Sequence, residues 1–188
     1  MLGHCGKAED AKVLREMLED PDKKVTSGVD GILAGYVMLQ PKEGWDYVRG
    51  TLKDGKKEFL MRYAALRTAR FLWEYRPDLV DKKHIVSGVA QLLDQSDIAD
   101  LAVEDLRKWG VWTMTDQVLN LQKSEAYKTP IVRRSVLRFA LSCPANKAAA
   151  AYVEEQRKKD PASVRDAEEL LKLEQSTAPA TPPAGTGK

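Results

Sequence analysis

Apolar residues recur at helical spacing along almost the whole chain, and this recurrence limits the fold more than any other feature of the sequence. Around Val132, Val136 and Ala140, for example, the apolar side chains fall on one stripe of a helix with about 3.6 residues per turn. Proline or glycine separates such segments, as at Pro77 and Gly110, and long alternations of β-branched residues are absent. The pattern therefore predicts an all-α chain of about ten helices.

The predicted helices also carry start signals at their N-termini. Asp81 and Asp97 are good N-cap residues for the fifth and sixth helices, and Thr129 precedes Pro130, which is favoured in a first turn. Seven of the ten predicted helices are marked by apolar stripes at 11–18, 25–37, 45–52, 85–93, 101–109, 118–121 and 132–141, and the other three are predicted over 58–75, 145–159 and 161–173.

These helices repeat with a period of roughly 35 residues, which is in the range of helical repeat proteins. The repeat is defined by a leucine in the second helix of each pair, followed in three cases by arginine: Leu33, Leu66-Arg67, Leu106-Arg107 and Leu137-Arg138. Residues 61–69 overlay 132–140, and the turns at 2–5, 109–112 and 141–144 align. One helix pair has too little core to fold alone, so the repeats are expected to stack.

The chain resembles the HEAT-repeat family, particularly its short-repeat bacterial form, over about residues 1–173. The resemblance depends on Leu2-Gly3-x-x-Gly6 followed by Ala8, Ala11, Leu14 and Leu18, and on Val132-Arg133 with a later Ala140. It implies a right-handed α–α superhelix in which the second helix of each pair lines a concave surface. The sequence departs from the family pattern at Val29 and Ala102, where the family has an arginine.

The two ends of the chain differ in character from its middle. The first six residues read as the end of a helix and its following turn, so we expect a C-terminal portion of a longer protein, packing on upstream repeats. On the same interpretation, Leu2 and Cys5 should pack against the next repeat. From Gln175 the composition turns to Pro, Thr and Ala without large apolar residues, which cannot offset the entropy of ordering. The expected organisation is a repeat domain at 1–174 and a disordered tail at 175–188.

Two arginines have the position of structural residues. Arg62 and Arg133 lie on the same helical stripe as Leu66 and Leu137, which places them on the buried or inter-repeat side. Arginine there is expected to bond carbonyls or an acid of the neighbouring repeat, as the family resemblance also implies.

A further set of arginines falls on the flank of the second helices and is the leading candidate for a partner site. Stacked repeats would arrange them as a basic column, suited to a protein partner with an acidic segment. The competing interpretation is a solvated flank neutralised by nearby Glu58, Glu74, Glu104 and Asp105. The predicted column consists of Arg67, Arg70, Arg107, Arg134 and Arg138.

An alternative function on nucleic acid rests on the aromatic residues. Trp109 and Trp112 bracket a turn near Arg107 and Asp116, an arrangement similar to the HEAT-like alkylpurine DNA glycosylases, in which aromatic faces would hold a nucleotide. Trp109 is, however, at core spacing, and Asp116 looks like an ordinary first-turn acid. A net charge of +2 also argues against tight duplex binding.

Metal, cofactor and catalytic motifs have little support in the sequence. His4, Cys5, His84 and Cys143 have no zinc-site spacing, and we expect Cys5 and Cys143 to be small buried thiols in equivalent turns and His84 to be exposed. No nucleophile elbow, phosphate loop, signal peptide or membrane-length apolar run occurs. The sequence therefore predicts a non-catalytic interaction scaffold or recognition module, without a cofactor or metal.

Overall fold

The computed structural model describes residues 2–20 and 28–177, and within these ranges it contains eleven α-helices and no strand. The all-α prediction is confirmed. The helices are α1 (Leu2–Cys5), α2 (Ala11–Glu19), α3 (Val29–Leu39), α4 (Pro41–Lys53), α5 (Phe59–Tyr75), α6 (Lys82–Val89), α7 (Ala99–Lys108), α8 (Thr115–Asn120), α9 (Pro130–Ser142), α10 (Lys147–Lys159) and α11 (Pro161–Thr177). Short 3₁₀ turns extend or join several of them, as after α6 and on both sides of α8.

The helices pack in two layers that follow the order of the chain. The odd-numbered helices contact one another in sequence, α1 on α3, α3 on α5, α7 on α9 and α9 on α11. The even-numbered helices cover them, with α4 against α6 and α8 against α10. The exception is the seam between α5 and α7, where the backbones do not approach as closely and side chains span the gap.

The helix boundaries have local causes that the sequence signals identify. Asp81 accepts a hydrogen bond from the Lys83 backbone N–H at 2.7 Å, so its prediction as the N-cap of α6 is confirmed. The prediction of a helix start at Thr129-Pro130 is also confirmed, because Pro130 is the first residue of α9. Asn146 caps α10 by accepting from the two N–H groups of Ala148 and Ala149.

Gly110 ends α7 in a conformation that favours glycine. Its φ is +66°, in the left-handed region. The Gly110 N–H donates to the Arg107 carbonyl at 3.0 Å, and the Val111 N–H donates to the Leu106 carbonyl at 3.0 Å. This pair of bonds is the Schellman motif, which satisfies the last carbonyl groups of a helix.

The core runs through the stacked helices as one large cluster, with a smaller cluster beneath α2. The four leucines that define the repeat, Leu33, Leu66, Leu106 and Leu137, are all at most 5 % exposed. Burying each of them contributes about 2 kcal/mol. The leucines that repeat in the sequence therefore belong to the core shared by the stacked helices.

Four boundary predictions need correction or fall outside the described residues. Asp97 is not the N-cap of α7, because Ile98 is, and the Asp97 carboxylate bonds Arg62 instead. The helix α11 continues through Gln175 to Thr177, so the predicted domain end at 174 is too early. The rest of the predicted tail, 178–188, and the predicted helix start at Val25 lie outside the described residues. None of the described helices combines the length and apolar character needed to cross a bilayer.

Two glycine substitutions should move stability in opposite directions. Gly110→Ala should lower the free energy of unfolding by about 1 kcal/mol, because alanine is strained at positive φ. Gly50→Ala should raise it by about 0.5 kcal/mol, because Gly50 lies in α4 and a Cβ there meets nothing within 4 Å. Urea denaturation of both variants measures the difference; a stabilised Gly110→Ala would contradict the assigned helix end.

Candidate interaction surface

The layer of odd-numbered helices carries two adjoining grooves that share Arg70 and Glu74. The first groove, of about 510 Å³, lies among α1, α3 and α5, and the second, of about 650 Å³, lies among α5, α7, α9 and α11. The first is lined by Gly3, His4, Asp30, Gly31, Ala34, Gly35, Met38, Arg67, Thr68, Arg70, Phe71, Glu74 and Tyr75. The second is lined by Arg70, Trp73, Glu74, Leu101, Glu104, Asp105, Lys108, Trp109, Arg138 and Glu174.

Arg62 is buried at the start of α5 and spans the seam between α5 and α7. It is 4 % exposed, and its Nε donates to the Lys57 carbonyl at 2.9 Å. Its two terminal nitrogens hold the Asp97 carboxylate end-on in a bidentate contact, at 2.9 Å from Nη1 to Oδ1 and 2.5 Å from Nη2 to Oδ2. Nη1 also donates to the Gln95 side chain at 2.8 Å. Each nitrogen of this buried guanidinium therefore has a hydrogen-bond partner, as its burial requires.

The same pair shifts the pKa of both partners toward the charged forms. Hydrogen bonds from Arg62 lower the pKa of Asp97, and burial, which acts in the opposite direction, is the weaker effect. The hydrogen bond to Asp97 raises the pKa of Arg62 in turn. The ionised pair therefore stabilises the folded state wherever Asp97 is deprotonated.

Arg133 differs from its repeat equivalent. It is exposed, so the prediction that it lies on the buried or inter-repeat side is wrong. Its Nη1 donates to the carbonyls of Tyr127 at 3.2 Å and Lys128 at 2.8 Å, in the turn just before its own helix. Arg62 and Arg133 share the bond to the carbonyl five residues earlier, but Arg62 also reaches an acid of the following helix pair.

The arginines of the first groove are each engaged by a carboxylate. Arg67 pairs with Asp30 at 3.0 Å, from α5 to α3. Arg70 donates through Nε to both carboxylate oxygens of Asp105, at 2.9 and 2.8 Å, from α5 to α7. Burial raises the pKa of Asp105 despite these bonds, so ionised Asp105 costs free energy that the pair only partly offsets.

Four charges meet where α7, α9 and α11 converge. Arg107 donates to Glu104 at 2.9 Å and to Glu174 at 2.7 Å. Arg138 bonds Glu174 and lies 3.3 Å from Glu104. Burial alone would raise the pKa of Glu174, but the hydrogen bonds and charges of Arg107 and Arg138 lower it. Glu174 therefore anchors the C-terminal part of α11 to two helices.

The predicted basic column is consequently not basic. The residues lining the two grooves include four with positive charge, Arg67, Arg70, Lys108 and Arg138, against five with negative charge, Asp30, Glu74, Glu104, Asp105 and Glu174. Arg107 is 9 % exposed and lines neither groove. Arg134 is exposed but lies elsewhere, beside Arg133 in a separate small groove that includes Asp160. The competing interpretation, a flank neutralised by acids that include Glu104 and Asp105, describes the structure better.

The aromatic residues of the alternative nucleic-acid site are not brought together. Trp109 stacks on Trp73 with ring centroids 4.4 Å apart, and Lys82 lies 4.4 Å over the Trp73 ring. Trp112 packs edge-on against Phe139 instead. Asp116 is exposed on α8, in the even-numbered layer, and lines neither groove. The tryptophan stack fills the seam between α5 and α7 beside the Arg70–Asp105 pair.

The histidines and cysteines do not form a single cluster. His84 is exposed and Cys143 is buried, as predicted, and burial raises the pKa of the Cys143 thiol, which keeps it unreactive. Cys5 is exposed, so its prediction as a buried thiol packed on the next repeat is wrong. The helix α1 contacts α3 through Gly3. Cys5 lies two residues after Gly3, which places it on nearly the opposite face of the helix, away from α3. In the part of the chain that the structure describes, no three His, Cys, Asp or Glu residues cluster as metal ligands.

Asp105 is among the neutralising acids expected from the sequence, but neither Asp97 nor Glu174 is predicted there as an ion-pair partner. Arg62 and Asp97 are separated by 35 residues, Arg70 and Asp105 by 35, and Arg138 and Glu174 by 36. Each acid therefore lies one repeat period after its arginine. Opposite charges separated by the repeat spacing are therefore the sequence signal for these ion pairs.

Comparison with models of known families, with curated proteins and with solved structures found no match to this chain.

The two inter-repeat carboxylates should show opposite pH dependence. Asp97→Asn should lower the free energy of unfolding by about 1.5 kcal/mol at neutral pH, because it breaks the charged bonds to buried Arg62. Because the folded-state pKa of Asp97 is lowered, this penalty should be complete above the unfolded pKa of about 3.9 and shrink as the pH falls through the lower folded value.

The matched variant Asp105→Asn should behave differently. Because burial raises the pKa of Asp105, wild-type protein loses stability as the pH rises from the unfolded pKa through the raised folded pKa. The substitution should therefore become more favourable, relative to wild type, as the pH rises. Urea denaturation between pH 3 and 7 measures both variants, and equal slopes would contradict the assigned roles.

Removing the Glu174 charge should loosen the end of α11 selectively. Glu174→Gln should speed amide hydrogen exchange at residues 170–177 about fivefold, because it weakens the bonds to Arg107 and Arg138. Exchange near Val164 and Ala167, which are buried, should change little. Glu169→Gln, at an exposed position of the same helix, is the control; equal exchange in both variants would show that Glu174 does not anchor the helix.

Proposed function

We propose that this chain is a non-catalytic protein-interaction module, built as a HEAT-like α-solenoid, and that a partner binds along its odd-numbered helices. The proposal is carried by one observation, the two adjoining grooves that run along this layer from α1 to α11. The sequential packing of odd on odd helices and the ion pairs spaced by 35 or 36 residues support the solenoid part of the proposal.

The state of the ionisable groups favours binding over catalysis. A catalytic acid or base must be able to exchange a proton with a substrate. In the second groove the carboxylates of Asp105 and Glu174 instead accept hydrogen bonds from Arg70, Arg107 and Arg138. These groups hold helices to one another, and the grooves between them offer shape and contact area to a partner.

The balance of charge changes the expected partner. An acidic segment was favoured by the sequence because it would meet a column of free arginines. Because those arginines are paired with carboxylates of the same chain, they are not free to attract an anionic protein or a nucleic acid backbone. Apolar and aromatic contact in the grooves takes its place as the source of affinity.

Photocrosslinking locates the partner surface directly. A photoreactive phenylalanine analogue at Tyr75, which is exposed in the first groove, should crosslink a partner from an extract of the source cells. The same analogue at Gln117, exposed on α8 in the even-numbered layer, should not. Equal crosslinking from both positions, or crosslinking from Gln117 alone, would show that the partner does not use the odd-numbered layer.

A further inference from the structure

The first groove contains one glycine whose type is not explained by packing within the described chain. Gly31 lies in α3, and a Cβ built on it meets nothing within 4 Å. Glycine in a helix lowers stability relative to alanine, and packing within the described chain does not require a small residue at this position. The neighbouring Gly35 has an internal reason, because its Cβ would approach Leu14 to 3.2 Å. Together with Ala34, Gly31 leaves one wall of the groove open to close approach.

The opposite wall is aromatic and exposed. Tyr75 is 65 % exposed, the highest fraction of the large apolar side chains that the structure describes, and its ring lies 5.9 Å from that of Phe71. Both rings line the first groove, as does Met38 across from them on α3. Exposed aromatic rings of this kind are enriched where proteins bind other proteins.

Glu74 supplies a carboxylate that has no ion-pair partner among the described residues. It is exposed, lines both grooves, and forms no ion pair with a described residue, while its neighbour Arg70 is engaged by Asp105 and Arg76 by Asp78. It lies in the last turn of α5, where the helix dipole disfavours an acid. A carboxylate, the negative end of a helix and two aromatic faces together favour a cation.

We propose that the first groove binds an amphipathic segment of a partner protein that presents a lysine or arginine. The apolar face of the segment lies against Gly31, Ala34 and Phe71, and its cation meets Glu74 and the Tyr75 ring. This inference rests on the proposed interaction function and names the partner chemistry of its site. Charge complementarity selects a basic segment. The groove arginines Arg67 and Arg70 are paired with acids of the same chain, whereas Glu74 has no cationic partner among the described residues.

Two synthetic peptides of 18 residues test the charge selection. They share one amphipathic helical pattern of leucines, and the polar positions are lysine in one and glutamate in the other. Fluorescence anisotropy of the labelled peptides should show about tenfold tighter binding of the Leu/Lys peptide. Glu74→Gln should weaken that binding about fivefold, whereas Asp116→Asn, which removes an exposed charge on α8, should change it less than about twofold.

Blocking the groove tests its location. Gly31→Trp should weaken Leu/Lys binding about tenfold, whereas Gly50→Trp should leave it within about twofold, since Gly50 is an equally open helical glycine outside the groove. Circular dichroism confirms that each variant is folded, and Glu74→Gln remains decisive if Gly31→Trp is not. Equal loss in both tryptophan variants, or equal or tighter binding of the Leu/Glu peptide, overturns the inference.

The remaining outcomes separate this inference from the proposed function. Absence of Leu/Lys binding, with a partner still crosslinked from Tyr75, would overturn the basic segment and leave the interaction function standing. Absence of both would overturn both. Self-association of the wild-type chain by sedimentation, abolished in Gly31→Trp, would identify a second copy as the occupant and also overturn the inference.

Discussion

Consecutive helix pairs of this chain are joined by arginine–carboxylate contacts that reach across one repeat, and the two-layer packing depends on them most where the backbones stand apart. Between α5 and α7 the contact is made by Arg62 with Asp97, by Arg70 with Asp105 and by the stack of Trp73 on Trp109. Buried leucines provide most of the stabilisation elsewhere, but they do not specify which helix pair follows which. The arginine–carboxylate bonds do specify it, because their geometry is directional.

This use of charge also determines what the surface can do. An arginine that holds a neighbouring helix cannot also attract an anionic ligand, so the flank that looks basic in the sequence is close to neutral in the structure. What stays available is the set of residues that the fold does not require: the open glycine at 31, the exposed Tyr75 and the carboxylate of Glu74. We therefore expect a partner to be recognised in the groove by these residues, which are not needed for packing within the chain.

The sequence predicted the helices well because period, proline and capping are local signals. Pro130, Asp81 and Gly110 lie at the ends where they were expected, and the repeat leucines are buried. The sequence-based predictions failed where a side chain is suited to either of two structural roles. Asp97 is a good cap by type but bonds a buried arginine 35 residues earlier, and the exposure of Arg133 depends on what packs beside its helix. Tertiary contacts decide between these roles, and the residue pattern of a single helix does not reveal those contacts.

A double-mutant cycle between Arg62 and Asp97 tests the dependence on inter-repeat ion pairs most directly. The free energy of unfolding is measured for wild type, Arg62→Met, Asp97→Asn and the double variant. We expect a coupling energy of at least about 1 kcal/mol, with the double variant less destabilised than the sum of the single changes. A coupling energy near zero would show that the two side chains do not interact in solution, and the inter-repeat ion pairs would then not organise the fold.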